Sequence, residues 1–327
     1  MKSFEYAAPN SLKEATSLLD ESWGQTEVLA GGMDLLTSLK QLIVAPKRLV
    51  SLRNIKDLRG IHAESKSLRI GATTTLAELA MDKNVQKHFP SLVTAARGVG
   101  SAQMLNRGTV GGDLCQRPRC WYYRNGFGLL AQQNGESLVL KGDNRYHAIF
   151  GNQGPAYFVS ASSLGPPLIA LGATIVAVGR DDKRRQIPAA KFFKTPKTEQ
   201  ERETVLEPTE IIQEIQIPLR GLKNATYEVR HRHGLDWPYV TASVAFSLSG
   251  GNASDAQIVL GHVAPTPWIS SSAAGALDGR VDASLAAKCG AAAMQGAKPL
   301  SKNGYKVPLV RAAVRRAVLS AAEIKEA

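Results

Sequence analysis

The spacing of apolar residues predicts a protein in which short strands and helices alternate. A capping box, Ser11-Leu-Lys-Glu14, opens a helix whose apolar residues fall on one face. Residues 26–30 form a predicted strand that runs directly into Gly31 and Gly32, and residues 48–52 form the next strand. This β–α–β beginning lacks the GxGxxG pattern of a dinucleotide-binding fingerprint.

From residue 55 onward the pattern changes to short strands and tight turns. A strand at 68–71 precedes a second capping box, Thr75-Leu-Ala-Glu78, which opens another helix. Further strands are predicted at 156–160, 173–178, 210–218, 225–232 and 241–248, and a final helix at 307–324. The fold class is therefore mixed α+β, with a boundary expected at the charged stretch GRDDKRR, residues 179–185.

Composition narrows the function classes. The 327-residue chain carries a net charge of +12, but its basic residues are spread along the chain, whereas nucleic-acid binding requires them on one face. No stretch approaches the roughly 18 apolar residues of a membrane-spanning helix. The N-terminus has no apolar signal-peptide core, so export would require a partner's signal. We expect no nucleic-acid partner and no membrane insertion.

Three loops rich in glycine and hydroxyl residues carry the candidate chemistry. They lie at residues 29–34, 71–75 and 108–113, each next to an apolar strand pattern. Paired glycines let consecutive backbone N–H groups turn toward one anion, and the missing Cβ lets a diphosphate approach the main chain. Asp113 can accept hydrogen bonds from sugar hydroxyls. Each loop alone is more often a simple turn, but three together favour a long ligand that contains a diphosphate.

The same loops carry a family resemblance. The motifs AGGMDLL, IGATTTLAELA and RGTVGGDLCQ, in this order, resemble the flavin-binding medium subunit of the xanthine dehydrogenase, carbon monoxide dehydrogenase and aldehyde oxidoreductase family of molybdenum hydroxylases. The resemblance extends over nearly the whole chain. It implies a PCMH-type FAD-binding domain over 1–178, with subdomains at about 1–54 and 55–178 and an inserted loop at about 115–152. A CO dehydrogenase flavoprotein-like C-terminal domain of antiparallel strands and helices would cover 179–327, and residues 210–218 would supply its opening strand.

The resemblance also implies which residues bind FAD. Residues of the first loop would wrap the diphosphate, the third loop would continue the site, and two threonines match the intermediate loop. The candidate cofactor-binding residues are Ala30, Gly31, Gly32, Met33, Asp34, Leu35, Thr73, Thr74, Thr109, Val110, Gly111, Gly112 and Asp113. Asp34 is also placed to cap the helix that follows it. No residue is assigned a catalytic or metal-binding role, since the flavin itself carries the redox chemistry.

The family's partners would complete the enzyme. A [2Fe–2S] iron–sulfur subunit would relay electrons to the FAD, and a molybdopterin-binding large subunit would oxidise an aldehyde or an N-heterocycle. The electrons would leave for an external acceptor, in the cytoplasm or, if a partner carries the chain across the membrane, in the periplasm. The alternative is a basic, non-enzymatic binding module that keeps the fold but has lost FAD.

The inserted loop resembles that of a branch that holds a [4Fe–4S] cluster. Cys115 and Cys120 are present, but the following stretch supplies no further cysteine, and His147 is the one candidate for a third ligand. Since such a cluster needs four thiolates or close substitutes, we expect a relic of the insert without the cluster. The arginines and aromatics of residues 117–124 either pack the loop internally or form an interface with partner subunits, and the interface is the favoured interpretation.

Overall fold

The computed structural model describes residues 1–232 and 236–325, and His233, to which no function was assigned, lies outside them. The strands are β1 (Glu5–Ala7), β2 (Thr26–Leu29), β3 (Arg48–Ser51), β4 (Ile61–Ala63), β5 (Ser67–Gly71), β6 (Gln132–Gln133), β7 (Glu136–Ser137), β8 (Thr174–Val178), β9 (Arg184–Pro188), β10 (Ile211–Pro218), β11 (Lys223–Val229), β12 (Val240–Ser249), β13 (Asn252–Gly261), β14 (Trp268–Ile269) and β15 (Gly279–Arg280). The helices are α1 (Leu12–Ser17), α2 (Leu35–Lys40), α3 (Leu76–Met81), α4 (Lys83–His88), α5 (Pro90–Arg97), α6 (Ala102–Arg107), α7 (Val110–Cys115), α8 (Trp121–Arg124), α9 (Leu138–Lys141), α10 (Gly165–Ala170), α11 (Ser271–Ala276), α12 (Ala283–Ala292) and α13 (Lys306–Ala321).

The first subdomain is a small parallel sheet in the order β1-β3-β2. The central strand β3 buries Leu49 and Val50, and α1 contributes the buried Ala15 to the same layer. The predicted cap of α1 is confirmed, because the Ser11 hydroxyl accepts the Glu14 amide at 3.2 Å. The parallel order places the end of β2, where the first glycine loop begins, beside the end of β3.

The second subdomain is a five-stranded antiparallel sheet in the order β4-β5-β10-β8-β9. The strand β10 lies in its centre and pairs with β5 on one side and β8 on the other. The expectation that residues 210–218 open the C-terminal domain is therefore wrong. The physical reason is burial: Ile215 and Ile217 are fully enclosed by α3, α5 and α10 residues of the same hydrophobic core. The division of the chain at residue 178 stays a prediction.

The C-terminal sheet has the order β11-β12-β13-β14, with β15 paired to β13. The helix α13 packs across β11 and β12, and α12 packs on α13. Two helices of the second subdomain reach this sheet, since α5 contacts β11 and α10 contacts β12 and β13. Most of the alternating strands and helices predicted from the sequence are thus present, but the strand predicted at 156–160 is wrong. That segment is irregular and, among the described residues, makes only single backbone hydrogen bonds, from Ala148 to Tyr157 and from Ser160 to Ala264, instead of pairing along a sheet. No helix of the described residues is long and apolar enough to cross a bilayer.

The inserted loop is tied to the C-terminal domain by buried polar side chains. The Asn303 amide donates to the carbonyl oxygen of His147 at 3.1 Å, and the Asn144 amide donates to the Ser301 hydroxyl at 2.9 Å. The Lys306 ammonium donates to the carbonyl oxygens of Tyr146 (3.0 Å), His147 (3.2 Å) and His262 (2.9 Å). The insert and the C-terminal domain are therefore packed together as one unit. Because the Lys306 ammonium group is buried in this contact, its pKa is lowered to about 7.

Replacing Lys306 tests this buried charge. Between about pH 7 and the ordinary lysine pKa, the unfolded chain binds a proton that the folded chain does not, so the Lys306 contribution to stability rises with pH in this window. We therefore compare the free energy of unfolding of the parent chain with that of Lys306→Met. As the pH rises, the parent chain should gain at most roughly 1.4 kcal/mol per pH unit relative to the variant. Urea denaturation at several pH values measures it. The exposed Lys302→Met is the control, and a difference that does not change with pH contradicts the prediction.

Candidate functional site

The three loops singled out in the sequence meet at one cleft lined by both subdomains. The first loop follows β2, the second follows β5, and the third follows α6. The second and third loops are joined by backbone hydrogen bonds, from the Leu76 amide to the Gly108 carbonyl at 2.9 Å and from the Gly111 amide to the Ala72 carbonyl at 2.8 Å. A predicted capping box, Thr75 with Glu78, holds the start of α3 at this junction.

The first loop touches the third through Gly31. A Cβ placed on Gly31 would lie 1.8 Å from the carbonyl oxygen of Arg107, so only glycine permits this backbone approach. Gly31 is therefore the contact that joins the first subdomain's loop to the loop that carries the RGTVGGD motif. A side chain at this position would separate the two walls of the cleft.

Main-chain amides at the cleft are available to a ligand. Within the described residues, the amides of Gly31, Gly32, Met33 and Asp34 have no hydrogen-bond acceptor. Gly32 has a φ of +75°, the left-handed conformation that turns successive amides toward one side. The cleft has a volume of about 360 Å³. Unpaired amides at a concave, glycine-lined surface match the acceptor oxygens of a diphosphate, so the residues present fit an FAD.

Most of the predicted FAD-binding residues line this cleft. Thr74 and Val110 do not reach it. The Thr74 hydroxyl is bonded to both backbone groups of Gly60, and Val110 is buried in the core with its amide donated to the Thr74 carbonyl at 2.9 Å. Both residues are buried beneath the loops and hold them in place through these contacts. The residues that line the cleft are Ala30, Gly31, Gly32, Met33, Asp34, Leu35, Thr73, Thr109, Gly111, Gly112 and Asp113. Their contact with FAD stays a prediction.

Asp113 is saturated by protein donors. Its Oδ1 accepts from the Gln116 side chain (2.9 Å) and the Ser163 amide (3.2 Å), and its Oδ2 accepts from the Ser162 hydroxyl (2.6 Å) and the Leu164 amide (2.9 Å). Burial nevertheless raises the pKa of Asp113 above its usual value. Asp113 thus ties the third loop to the start of α10, while the hydrogen bond to a sugar hydroxyl remains a prediction.

The Asp34 carboxylate faces the insert instead of capping α2. It makes no capping hydrogen bond to that helix, so the expected cap is wrong. The carboxylate accepts the Arg117 amide and an Arg124 Nη2 hydrogen bond, both at 2.8 Å, and forms an ion pair with Arg119 at 3.0 Å. The insert's donors outcompete the helix amides because three of them converge on one carboxylate. Asp34 therefore anchors the insert against the cleft.

Two further ion pairs at the cleft come from a segment that sequence analysis did not select. Arg117 pairs with Glu203 at 3.0 Å, and Arg202 pairs with Glu27 at 2.6 Å. Trp237 of the C-terminal domain also lines the cleft and packs against the Arg119 guanidinium, 4.9 Å from the ring centroid. These partners are separated by 86 or more positions in the chain, so no local pattern in the sequence signals them.

The insert's arginines and aromatics serve mainly inside the chain. Arg117 and Arg124 retain only 15% and 12% of their side-chain surface because of the pairs just described. Tyr123 is buried with Leu129 and Leu130 in a separate apolar cluster. The contacts therefore support internal packing of the loop over the partner interface that the sequence favoured.

The insert's cysteines do not gather ligands in the described part of the chain. The Cys120 thiol meets His147 Nε2 at 3.2 Å and packs against the same apolar cluster that contains Leu129. Cys115 lies on the cleft side. Among the described residues, no three His, Cys, Asp or Glu side chains come together in a way that would hold a metal ion. The missing cluster stays a prediction.

The fold and the cleft together define a class of protein: two subdomains that enclose a site for a diphosphate-containing cofactor, followed by an antiparallel sheet-and-helix domain. Residues 2–220 match the family described as the FAD binding domain in molybdopterin dehydrogenase. Residues 225–321 match the CO dehydrogenase flavoprotein C-terminal domain. The chain belongs to this family of FAD-binding subunits of molybdenum hydroxylase-type dehydrogenases, and the resemblance and fold class inferred from the sequence are confirmed.

Individual relatives agree with this assignment. The chain is 31% identical to the carbon monoxide dehydrogenase medium chain of Hydrogenophaga pseudoflava over 80% of this chain and 76% of that one. It is 27% identical to the Escherichia coli aldehyde oxidoreductase FAD-binding subunit PaoB, over 82% and 84%. The solved carbon monoxide dehydrogenase from Hydrogenophaga pseudoflava that lacks the Mo-pyranopterin moiety superposes with a TM-score of 0.76 over 98% of both chains, at 28% identity. The protein is thus an oxidoreductase flavoprotein subunit whose cofactor is FAD.

Gly31→Ala tests the junction of the loops. The added Cβ overlaps the Arg107 carbonyl, so the first loop must move away from the third and the diphosphate surface opens. We expect at least about a tenfold loss of FAD affinity, corresponding to about 1.4 kcal/mol. FAD retained after ultrafiltration, read from its visible absorbance, measures it. Gly275→Ala, where a Cβ meets nothing within 4 Å, is the matched control. Full FAD retention by a folded Gly31→Ala protein would show that this contact does not hold the site.

Iron analysis tests the insert. We expect the chain purified without partners to contain no more iron than a Cys115→Ser, Cys120→Ser double variant, because two thiolates do not hold a [4Fe–4S] cluster. Elemental iron and acid-labile sulfide per FAD measure it. About four irons per chain, lost in the double variant, would contradict the expectation.

Proposed function

We propose that the cleft holds FAD with its diphosphate on the amides of Gly31 to Asp34 and that the remaining predicted residues which line the cleft complete the site. The single observation that carries this proposal is the convergence of three glycine loops on a concave surface with unpaired amides. When bound, the flavin supplies the redox chemistry. Arg119 of the insert and Trp237 of the C-terminal domain together cover the cleft and would limit the access of water to the site.

We propose further that the chain works as the electron-exit subunit of a larger enzyme. A partner subunit with [2Fe–2S] clusters would deliver electrons to the flavin, and a molybdopterin-binding large subunit would take them from the substrate. The curated relatives named as medium chains and FAD-binding subunits support this arrangement. An external acceptor would collect the electrons. The chain itself is not assigned a molybdenum site.

The proposed substrate of the complex is an aldehyde or an N-heterocycle. An aldehyde oxidoreductase subunit and a quinoline 2-oxidoreductase structure, the latter at 27% identity with a TM-score of 0.76, support these two substrate classes. The proposed compartment is the cytoplasm, or the periplasm if a partner carries the folded chain. A basic module that has lost FAD is not supported, because the cleft is open to a ligand and its amides are unpaired.

Anaerobic reduction of the complete complex tests the proposed electron flow. The chain is co-expressed with the proposed iron–sulfur and molybdopterin subunits, and an aldehyde or an N-heterocycle is added without acceptor. We expect the flavin absorbance to bleach and the iron–sulfur signal to appear in EPR. With Gly31→Ala in place of the parent chain, the iron–sulfur clusters should still be reduced, while turnover with the external acceptor is lost. A flavin that stays oxidised with both substrate classes while the clusters are reduced would refute the role.

A further inference from the structure

A second cavity lies between the insert and the C-terminal domain. Its volume is about 370 Å³, and it shares only Arg119 and Trp237 with the flavin cleft, so this pair forms the wall between the two spaces. The second cavity is built by the insert, the segment before β12, the turn after β13 and the start of α13. From the sequence, Cys120 and His147 were considered only as ligands of an iron–sulfur cluster and Trp121 only as part of the insert's packing or of a partner interface. Those that matter for its chemistry are Cys120, Trp121, Tyr146, His147, Tyr239, His262 and Lys306.

His262 is buried in the wall of the second cavity without a partner for its ring. It is 2% exposed, and neither Nδ1 nor Nε2 has a hydrogen-bond partner among the described residues. Its backbone has a φ of +62°, a left-handed conformation that is strained for a non-glycine residue. A strained residue with two unpaired buried nitrogens is unfavourable for the empty protein, which points to a ligand that supplies the missing partner.

His147 contributes a second buried imidazole to the wall of the same cavity. It is also 2% exposed, its Nε2 is engaged with the Cys120 thiol at 3.2 Å, and its Nδ1 has no partner in the described chain. Burial and the nearby Lys306 charge lower the pKa of His147 to about 4, and burial lowers that of His262 to about 3. Both rings are therefore neutral near pH 7, and each can offer one N–H donor.

Lys306 adds a positive charge that lacks a carboxylate. Its three ammonium hydrogens go to the carbonyl oxygens of Tyr146, His147 and His262, and no ion pair of the described residues includes it. The acids at this cavity are already paired, since Asp236 holds Arg232 at 3.0 Å and Asp143, which acts on His147, holds Arg145 at 2.6 Å. Burial lowers the Lys306 pKa to about 7, and an anion in the second cavity would favour its charged form.

The remaining walls are aromatic. Tyr146 and Tyr239 stack with their ring centroids 5.8 Å apart, and Trp121 meets Tyr146 edge-on at 5.3 Å. Trp237 lies 6.1 Å from the His262 ring. Flat apolar walls with donors at one end suit a small molecule that has an apolar body and an anionic end.

We propose that the second cavity is a binding site for a small aromatic carboxylate, with the carboxylate on the His262 and His147 imidazoles and the ring against the tyrosine and tryptophan walls. Lys306 contributes its charge and fixes the His262 carbonyl. The site is separate from the flavin cleft and does not depend on the proposed electron transfer.

Direct titration of the FAD-loaded chain tests the site. Benzoate is the probe, benzamide is its uncharged counterpart of the same shape, and inorganic phosphate is an anion without a ring. The chain has six histidines, so ¹⁵N-histidine labelling gives a sparse NMR spectrum in which His262 and His147 can be followed. We expect saturable benzoate shifts at these two rings and at least about tenfold weaker binding of benzamide.

Matched variants assign the binding to the proposed residues. His262→Gly removes the ring at a backbone conformation that glycine adopts freely, and Lys306→Met removes the charge while keeping the bulk. Each should weaken benzoate binding at least about tenfold without changing FAD content. His62→Gly and Lys302→Met, both at exposed positions, are the controls and should bind benzoate like the parent chain.

Three results would overturn the proposal. They are benzamide binding as tightly as benzoate, phosphate binding in place of benzoate, and full benzoate affinity in a folded His262→Gly protein. If Lys306→Met fails to fold, His262→Gly alone tests the proposal, because glycine relieves the backbone strain at this position and the variant should stay folded.

Discussion

The close backbone approach of Gly31 to the Arg107 carbonyl is the constraint on which the rest of the site depends. It joins a loop that ends a parallel strand to a loop more than seventy residues later, and any side chain larger than hydrogen would separate them. Once the loops touch, the Gly111 amide reaches the Ala72 carbonyl and the second loop is held in the same surface. The unpaired amides of the first loop then face the cleft, where a ligand with hydrogen-bond acceptors of suitable charge and shape can accept their hydrogen bonds.

The insert contributes to this site in a way that the sequence did not suggest. Asp34, a residue of the glycine loop, gathers a backbone amide and two guanidinium groups from the insert, so the loop that follows the RGTVGGD motif folds back over its own cleft. An exposed Asp–Arg pair contributes little to the stability of a folded protein. Here the charged groups are mostly buried and converge on one carboxylate, so removal of a single partner would destabilise the fold. The insert's other side is fixed by Asn144, Asn303 and Lys306, which bind it to the C-terminal domain.

This arrangement places two cavities on the two sides of the Arg119 and Trp237 pair. One cavity carries amides suited to a diphosphate, and the other carries neutral imidazoles and an unbalanced ammonium group. The insert supplies residues to both, with Arg117 and Arg119 at the flavin cleft and Cys120 and His147 at the second cavity. A segment that resembles a cluster-binding loop is thus retained as a structural bridge between the flavin domain and the C-terminal domain.

The sequence by itself determined the local features. The capping box at Thr75, the Ser11 cap of α1, the glycine loops and most of the short strands after residue 55 depend on neighbouring residues, and the structure contains them where the sequence predicts them. At Ser11 the box is incomplete, because the Glu14 carboxylate accepts the Asn10 amide instead of the Ser11 amide. Tertiary structure decided the rest. The strand at 211–218 lies in the middle sheet because its isoleucines are buried there, and the Asp34 carboxylate binds distant arginines instead of capping its helix. Thr74 and Val110 are buried behind the loops, and the Lys306 ammonium group donates to the His262 carbonyl. Each of these outcomes depends on partners that are far apart in the chain, and the competition among such partners is settled only when the core closes.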